Sequence, residues 1–168
     1  ATISNNAFEN CESIASLTLP SQLEQIGSST FKNCKLIPAV NFPDTLVSIG
    51  ASAFDGCTNL SNINFSQAKA LTSIGASAFR YTSQKTLRWP ETVTTINTSV
   101  FEGNVSLENI YIPDTVTSIG SNSFKACYSL NTLDMPASTA IQHATNSSFN
   151  WCLQLNKLIA RPVPTTVY

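Results

Sequence analysis

The stretch LENIYIPDTVTSIGSNSFKAC, residues 107–127, contains one complete unit of a repeated pattern. Ile110 and Ile112 alternate with polar residues, which is typical of a short β-strand. Pro113 ends that strand, because proline has no N–H for the next rung of a sheet. A second short extended run follows, and the apolar spacing around Phe124 predicts a single helical or 3₁₀ turn. The unit is too short to bury its own apolar side.

The same unit recurs along the whole chain, and phenylalanine marks each copy. Successive anchors are separated by 22 to 25 residues. They are Phe8, Phe31, Phe54, Phe79, Phe101, Phe124 and Phe149. Isoleucine, glycine, cysteine, leucine and proline columns repeat in phase with them. Stacking such copies turns each column into a continuous internal ladder, so the sequence predicts a solenoid of about seven copies.

The predicted fold is an α/β solenoid, a right-handed coil with a parallel sheet and short helical or 3₁₀ turns. We expect the sheet strands at residues 16–19, 39–42, 62–65, 86–89, 109–112, 132–135 and 157–160. The array is expected to span residues 1–160 and to begin in the middle of a repeat. Residues 161–168 are expected to form a proline-containing tail. With no charged and apolar leader at its start, the chain is interpreted as a piece of a longer protein.

Composition narrows the classes of function. Charged residues make up only 11% of the chain, against about a quarter in a typical soluble domain. The polar surface must therefore come mainly from Ser, Thr, Asn and Gln. A surface of this kind is typical of secreted and cell-surface proteins. The net charge of −1 gives no electrostatic reason to bind nucleic acid or anionic lipid. No apolar stretch is long enough to insert into a membrane.

The pattern Leu-x-x-Ile-x-Leu-Pro-x-x-Leu-x-x-Ile-Gly-x-x-Ala-Phe-x-x-Cys resembles the BspA-like leucine-rich repeats, and the resemblance covers essentially the whole chain. It implies a leucine-rich repeat fold whose strands line a concave sheet. Family members occur on the surface of bacteria and some protists, where they are linked to adhesion. The resemblance therefore implies a secreted or cell-surface protein with protein partners, such as host matrix or cell-surface proteins.

Candidate binding residues are those that point outward from the predicted strands. The central outward positions are Thr18, Asn41, Asn64, Arg88, Tyr111, Asp134 and Ile159. Tyr and Arg are over-represented as anchors in interfaces. We therefore predict a binding row of Arg88, Tyr111 and Asp134, with Asn64 and Asn109 at its margins. Arg88 and Asp134 are expected to remain available to a partner, and the remaining surface is expected to offer few comparable anchors. The alternative is an ordinary solvated sheet face.

Five cysteines share one column of the repeat, and Thr82 and Asn104 fill that column in two copies. They are Cys11, Cys34, Cys57, Cys127 and Cys152. A column that accepts Thr and Asn suits small buried side chains, so free buried thiols are favoured over a disulfide. Neighbouring copies lie close enough for a bridge to be conceivable. A metal site is disfavoured, because there is no Cys-x-x-Cys pair and His143 is the only histidine.

Little in the sequence suggests catalysis, so we expect no enzyme activity and no cofactor. Asp44, Glu91 and Asp114 share a column after the strand proline. They are interpreted as turn residues that accept backbone N–H bonds, with a cation or catalytic site as the alternative. The favoured function is a non-catalytic extracellular adhesion or protein-binding module, expected to be monomeric. The alternatives are a structural spacer of a larger surface protein and a glycan-binding or glycan-processing solenoid.

Overall fold

A computed structural model of the chain describes residues 1–136 and 147–162. Ile141 and Ala144, which are the last members of two repeat columns, lie outside the described residues. The same holds for His143 and residues 163–168. Twelve short strands occur in the described part. In chain order they are β1 (Thr2–Ile3), β2 (Gln25–Ile26), β3 (Ala39–Asn41), β4 (Ser48–Ile49), β5 (Asn62–Asn64), β6 (Ser73–Ile74), β7 (Thr86–Arg88), β8 (Thr95–Ile96), β9 (Asn109–Tyr111), β10 (Ser118–Ile119), β11 (Thr132–Pro136) and β12 (Lys157–Arg161).

Most coils of the solenoid contribute a longer strand to one wall and a two-residue strand to another. The longer strands pair in the orders β3-β5 and β12-β11-β9-β7, and the short ones in the orders β1-β2-β4-β6 and β10-β8. Every recorded strand pair is parallel and in register by repeat position. The predicted parallel-sheet solenoid is therefore confirmed.

The segment around each phenylalanine forms a third wall, and here the predicted helical or 3₁₀ turn is wrong. Every second N–H donates to the next coil, as from Phe8 to the Thr30 carbonyl at 2.8 Å. The N–H groups between them bond locally, as from Cys11 to the Phe8 carbonyl at 3.1 Å. Asn6 and Asn10 have φ near +60°, which interrupts any right-handed turn. No residue in the described part is helical, so the fold is an all-β solenoid rather than α/β.

The phenylalanine column forms the centre of a single core. Phe54 is fully buried and stacks on Phe31 and Phe79, with ring centroids 5.2 and 5.5 Å apart. The stack continues to Phe8 at one end and Phe149 at the other. Offset stacking adds about 0.5–1.5 kcal/mol per aromatic pair beyond the burial of apolar area. A single hydrophobic cluster contains all these layers, so the described coils share one core.

Two details of the predicted sheet are wrong. Residues 16–19 form no strand, because Leu17 and Leu19 are only partly buried and the segment makes no ladder with β3. The sheet is also not continuous. Pairing stops between β5 and β7 on one wall and between β6 and β8 on another. We call this boundary, between residues 62–74 and 86–97, the coil break. The third wall, around the phenylalanine column, is called the turn wall here. It crosses the coil break without interruption, as shown by the bond from Phe79 N–H to the Val100 carbonyl at 3.0 Å.

Candidate binding face of the longer-strand sheet

The outward row predicted from the sequence is brought together by strand pairing. Arg88 lies opposite Tyr111 in the ladder of β7 and β9, and Tyr111 lies opposite Asp134 in the ladder of β9 and β11. Ile159 follows in β12. The alternate residues of each strand, such as Leu87 and Ile110, are buried in the core. Because side chains alternate across a strand, burying the leucine and isoleucine columns points the row outward.

Tyr111 is the centre of this face, and the Arg88 guanidinium carbon lies 4.1 Å from its ring centroid. A cation over an aromatic face at an exposed site contributes about 0.5–1 kcal/mol. The same guanidinium donates to Glu91 at 3.2 Å, but both side chains of that pair are largely exposed. Exposed ion pairs contribute little to stability, so Arg88 is oriented mainly by the ring.

A second guanidinium reaches Tyr111 from β12. The Arg161 guanidinium carbon lies 4.4 Å from the ring centroid, and its N–H groups donate to Asp134 Oδ1 and to the Ile112 carbonyl. They also donate to Asp114 Oδ1, at 3.0 Å from Nη2. We call the Tyr111 ring, the Ile112 carbonyl, Asp114 and Asp134 the arginine cage. Only 20% of the Arg161 side chain is exposed.

The surroundings of Arg161 stabilise its charged form. Desolvation by burial acts against its charged form, but the hydrogen bond that Arg161 donates to Asp114 and the neighbouring Asp134 carboxylate outweigh it and raise the pKa of Arg161 above its ordinary value. Of the two residues expected to remain available to a partner, Asp134 is paired with Arg161. Arg88 contacts Tyr111 and Glu91 but stays largely exposed, so its availability remains a prediction.

The two marginal residues have different positions. Asn109 lies beside the row on β9 and lines a shallow cavity of about 320 Å³. The polar part of its lining is Thr86, Arg88, Asn109, Tyr111, Thr132 and Asp134. Asn64 lies across the coil break from Arg88, and its side chain donates to Asn41 Oδ1 at 2.9 Å. The structure therefore groups Asn109 with the row, whereas Asn64 belongs to a different sheet.

The carboxylates after the strand prolines do not act as expected. Glu91 and Asp114 accept from Arg88 and Arg161 instead of from N–H groups of their own turns. In the part of the chain that the structure describes, no group of three His, Cys, Asp or Glu side chains has the geometry to hold a metal ion. The arrangement offers charge and aromatic surface for binding.

The five cysteines are free thiols, and four of them donate to the preceding coil. Cys57 Sγ, for example, lies 3.1 Å from the Phe31 carbonyl. Burial raises the pKa of Cys57 to about 12, and the nearby Cys34 thiol adds to this. The prediction of buried thiols is wrong for Cys11, which is exposed. The thiol column is therefore a packing and hydrogen-bonding column.

Two features of the surface were missed in the sequence. Arg161 had been assigned to the tail, yet it ends β12 opposite Pro136, at the position where most copies carry the strand-closing proline. The turn wall also exposes apolar side chains, contrary to the expected uniform polar surface. These residues, 46–70% exposed, are Tyr81, Val105, Tyr128, Trp151 and Leu153. We call them the turn-face patch. They stand two or four residues after a phenylalanine of the repeat, so their recurrence in the sequence could have predicted this patch on the turn wall.

No helix in the described residues is long and apolar enough to cross a bilayer. Among solved structures, the chain is similar to a leucine-rich repeat protein from Bacteroides ovatus, with 28% identity and a TM-score of 0.80 over 94% of this chain. It spans 40% of that protein's length. A Treponema pallidum leucine-rich repeat protein shares the fold, with 22% identity, a TM-score of 0.63, and coverage of 77% of this chain and 71% of that one.

Among curated proteins, none matches the sequence. The profile of the BspA type leucine rich repeat region, in six copies, matches residues 1–83 and 72–166. These ranges span nearly the entire repeat array, and the matched coils include every strand of the outward row. The chain belongs to the BspA-type leucine-rich repeat family.

Proposed function

We propose that the chain is a non-catalytic, monomeric protein-binding module of a secreted or cell-surface protein. Its contact surface is the outward face around Tyr111. The observation that carries the proposal is the ring of Tyr111, held between strands of a parallel sheet with the Arg88 and Arg161 guanidiniums over it. Tyr and Arg are enriched among interface hot spots.

Rigidity supports the same reading. Tyr111 is flanked on both sides by paired strands, and the residues beneath it belong to the buried core. A side chain that is already ordered loses little conformational freedom when a partner binds. Membership of a leucine-rich repeat family also supports a protein-interaction module, and the low charged fraction supports an extracellular location. The partner class we propose is host matrix or cell-surface protein.

The test compares two tyrosines on different walls. Tyr111→Ser removes the central ring of the outward face, and Tyr128→Ser removes a half-exposed ring of the turn-face patch. Binding to purified matrix proteins and to intact cells is measured for the native chain and for each variant, with circular dichroism to check folding. We expect only Tyr111→Ser to lose binding. Loss of binding in Tyr128→Ser, with binding kept in Tyr111→Ser, would place the site on the turn wall.

The structural spacer remains the competing function, because a continuous core of stacked coils also makes a stiff rod. A spacer has no contact surface of its own. If the native chain binds no matrix protein and no cell type above the level of an unrelated protein, the spacer becomes the better account and the binding proposal fails.

A further inference from the structure

Two neighbouring coils build the arginine cage, and a side chain from the next coil fills it. Its ring, carbonyl and carboxylates come from Tyr111, Ile112, Asp114 and Asp134, while the guanidinium comes from Arg161. The strands that build it are β9 and β11, whose pairing does not involve Arg161. The cage is therefore formed by the solenoid itself, and Arg161 contributes only the group that occupies it.

The chemistry of the cage matches a guanidinium more closely than an ammonium. A planar cation stacks flat on an aromatic ring and presents N–H groups outward in fixed directions. Asp114, Asp134 and the Ile112 carbonyl receive those N–H groups on different sides. A lysine ammonium has neither the flat face nor the span to satisfy the ring and both carboxylates at once.

We infer that this cage is a recognition site for an arginine side chain of a protein partner, with Arg161 as a built-in occupant that a partner arginine displaces. The inference rests on the proposed function and names the chemistry of its partner. The cage carries two carboxylates against the single charge of Arg161, so its field favours an approaching cation.

Displacement requires no unfolding. Arg161 is the last residue of β12, and the pairing from Lys157 to Arg161 along β11 is made by the main chain. The Arg161 side chain can leave the cage by rotating about its own bonds. The cavity of about 320 Å³ next to Tyr111 then gives room for the residues that flank a partner arginine. Exchange of one guanidinium for another preserves the contacts of the cage, but the partner also loses translational freedom, so its flanking contacts decide the affinity.

The test empties the cage. Arg161→Met keeps the methylene stem and removes the guanidinium. The probes are three fluorescent peptides with Gly and Ser flanks around one central residue, which is arginine, lysine or citrulline. Fluorescence anisotropy measures their binding to the native chain and to Arg161→Met. We expect the variant to bind the arginine peptide at least about tenfold more tightly than the native chain does, and more tightly than the other two peptides.

Two further measurements keep the result decisive. Asp134→Asn in the Arg161→Met background should remove the gain, because it takes away one of the two carboxylates. Hydrogen exchange of the Lys157 and Ile159 amides reports whether β12 remains paired, because Lys157 N–H donates to the Asn131 carbonyl and alternate N–H groups point the same way. If β12 detaches in Arg161→Met, the comparison is made with Arg161→Lys, which keeps a cation but cannot stack flat. A gain in that variant supports the cage.

The inference is overturned if the emptied and still paired cage binds the arginine peptide no more tightly than the native chain. Arg161 would then be only a latch for the terminal strand. That result leaves the proposed function in place, provided Tyr111→Ser still loses binding to matrix proteins or cells. Loss of the proposed function shows differently, as a native chain that binds none of those targets.

Discussion

The side-chain amide of Asn97 donates to the carbonyl of Ile74 at 2.6 Å, across the coil break. In four other coils a glycine N–H makes this bond, as from Gly75 to the Ile49 carbonyl at 2.8 Å. A Cβ on Gly75 would lie 2.4 Å from the Ala51 nitrogen, so neighbouring coils approach too closely here for any side chain. The Cβ of Asn97 holds its coil away, and its amide bridges the gap that results.

Gly75→Asn should create a second break between β4 and β6. The added side chain overpacks against the Ala51 backbone, which costs about 1–3 kcal/mol. The free energy of unfolding from urea titration measures that cost, and loss of hydrogen-exchange protection at residue 75 locates it.

Asn97→Gly is the matched control, because it installs glycine where the break already exists. We expect a change in unfolding free energy within about 1 kcal/mol, since the lost amide bond and the flexibility of glycine offset a new main-chain bond. If Gly75→Asn is as mild as Asn97→Gly, close approach does not explain the break.

The phenylalanine ladder should determine stability. Phe54 is fully buried between two stacked rings, so Phe54→Ala is expected to cost about 3–5 kcal/mol. Phe8 stacks on one ring only and is 41% exposed, so Phe8→Ala should cost about 1 kcal/mol. Urea unfolding of both variants gives the comparison, and equal small losses would mean that the column is not the core.

The repeat columns were sufficient to predict the parallel pairing and the outward row. Period-two alternation places Arg88, Tyr111 and Asp134 on one side of their strands, and their spacing of 23 residues stacks them in register. Both conclusions depend only on which residues must be buried together. That is the part of a solenoid that a repeated sequence specifies most directly.

The remaining features depend on distances that no column reveals. Apolar spacing around Phe124 fits a helical turn as well as a wall whose alternate N–H groups bond to the next coil. Only the approach of that coil decides between them. The partner of Asp134 depends on the reach of Arg161 from the adjacent coil, and the coil break depends on how closely Asn97 can approach the preceding coil.

The buried thiol of Cys57 should make stability depend on alkaline pH. Its pKa is about 12 in the folded chain against an ordinary value of 9.0, mainly because of desolvation by burial. The folded state therefore holds this proton more tightly than the unfolded chain. The stabilisation is complete below about pH 9 and declines by about 1.4 kcal/mol per pH unit as the pH rises towards 12.

Cys57→Thr provides the control, because Thr82 fills the same column in another coil and does not titrate. From pH 8 to 10.5, the unfolding free energy measured by urea under reducing conditions should fall more steeply for the native chain than for the variant. Parallel curves over that range would contradict a protonated, buried Cys57.

Arg80 and Asp55 form an ion pair that should contribute to stability. The guanidinium donates to both carboxylate oxygens, at 3.0 and 2.8 Å, and the Asp55 side chain is only 5% exposed. Arg80→Met leaves that carboxylate buried without its partner. We expect a cost of about 2–4 kcal/mol, below the range for a fully buried pair because solvent still reaches Arg80.

The exposed pair of Lys35 and Glu12, 2.7 Å apart, is the control for that variant. Lys35→Met should cost under about 0.5 kcal/mol, because both side chains are half exposed. Urea unfolding of the two variants side by side separates burial from simple proximity. Similar costs for both would show that Asp55 is hydrated in solution.

The last prediction concerns which part of Tyr111 a partner uses. The two guanidiniums contact its ring, at 4.1 and 4.4 Å from the centroid. Tyr111→Phe preserves that ring and both cation contacts, so the geometry of the outward face should survive. Tyr111→Ser removes the ring and leaves Arg88 and Arg161 without the surface that orients them. We therefore expect Tyr111→Phe to keep partner affinity within about threefold, and Tyr111→Ser to lose at least about 2 kcal/mol, the size of an interface hot spot.

Affinities for a matrix protein or cell type that the native chain binds are measured by surface-immobilised titration at two salt concentrations. Salt screens exposed charges far more than it weakens burial of a ring. If the ring is the anchor, the difference between Tyr111→Phe and Tyr111→Ser persists at high salt. If Tyr111→Phe loses as much affinity as Tyr111→Ser, the hydroxyl makes the contact. If the difference vanishes at high salt, the partner binds the charges around Tyr111 and the ring serves only to position them.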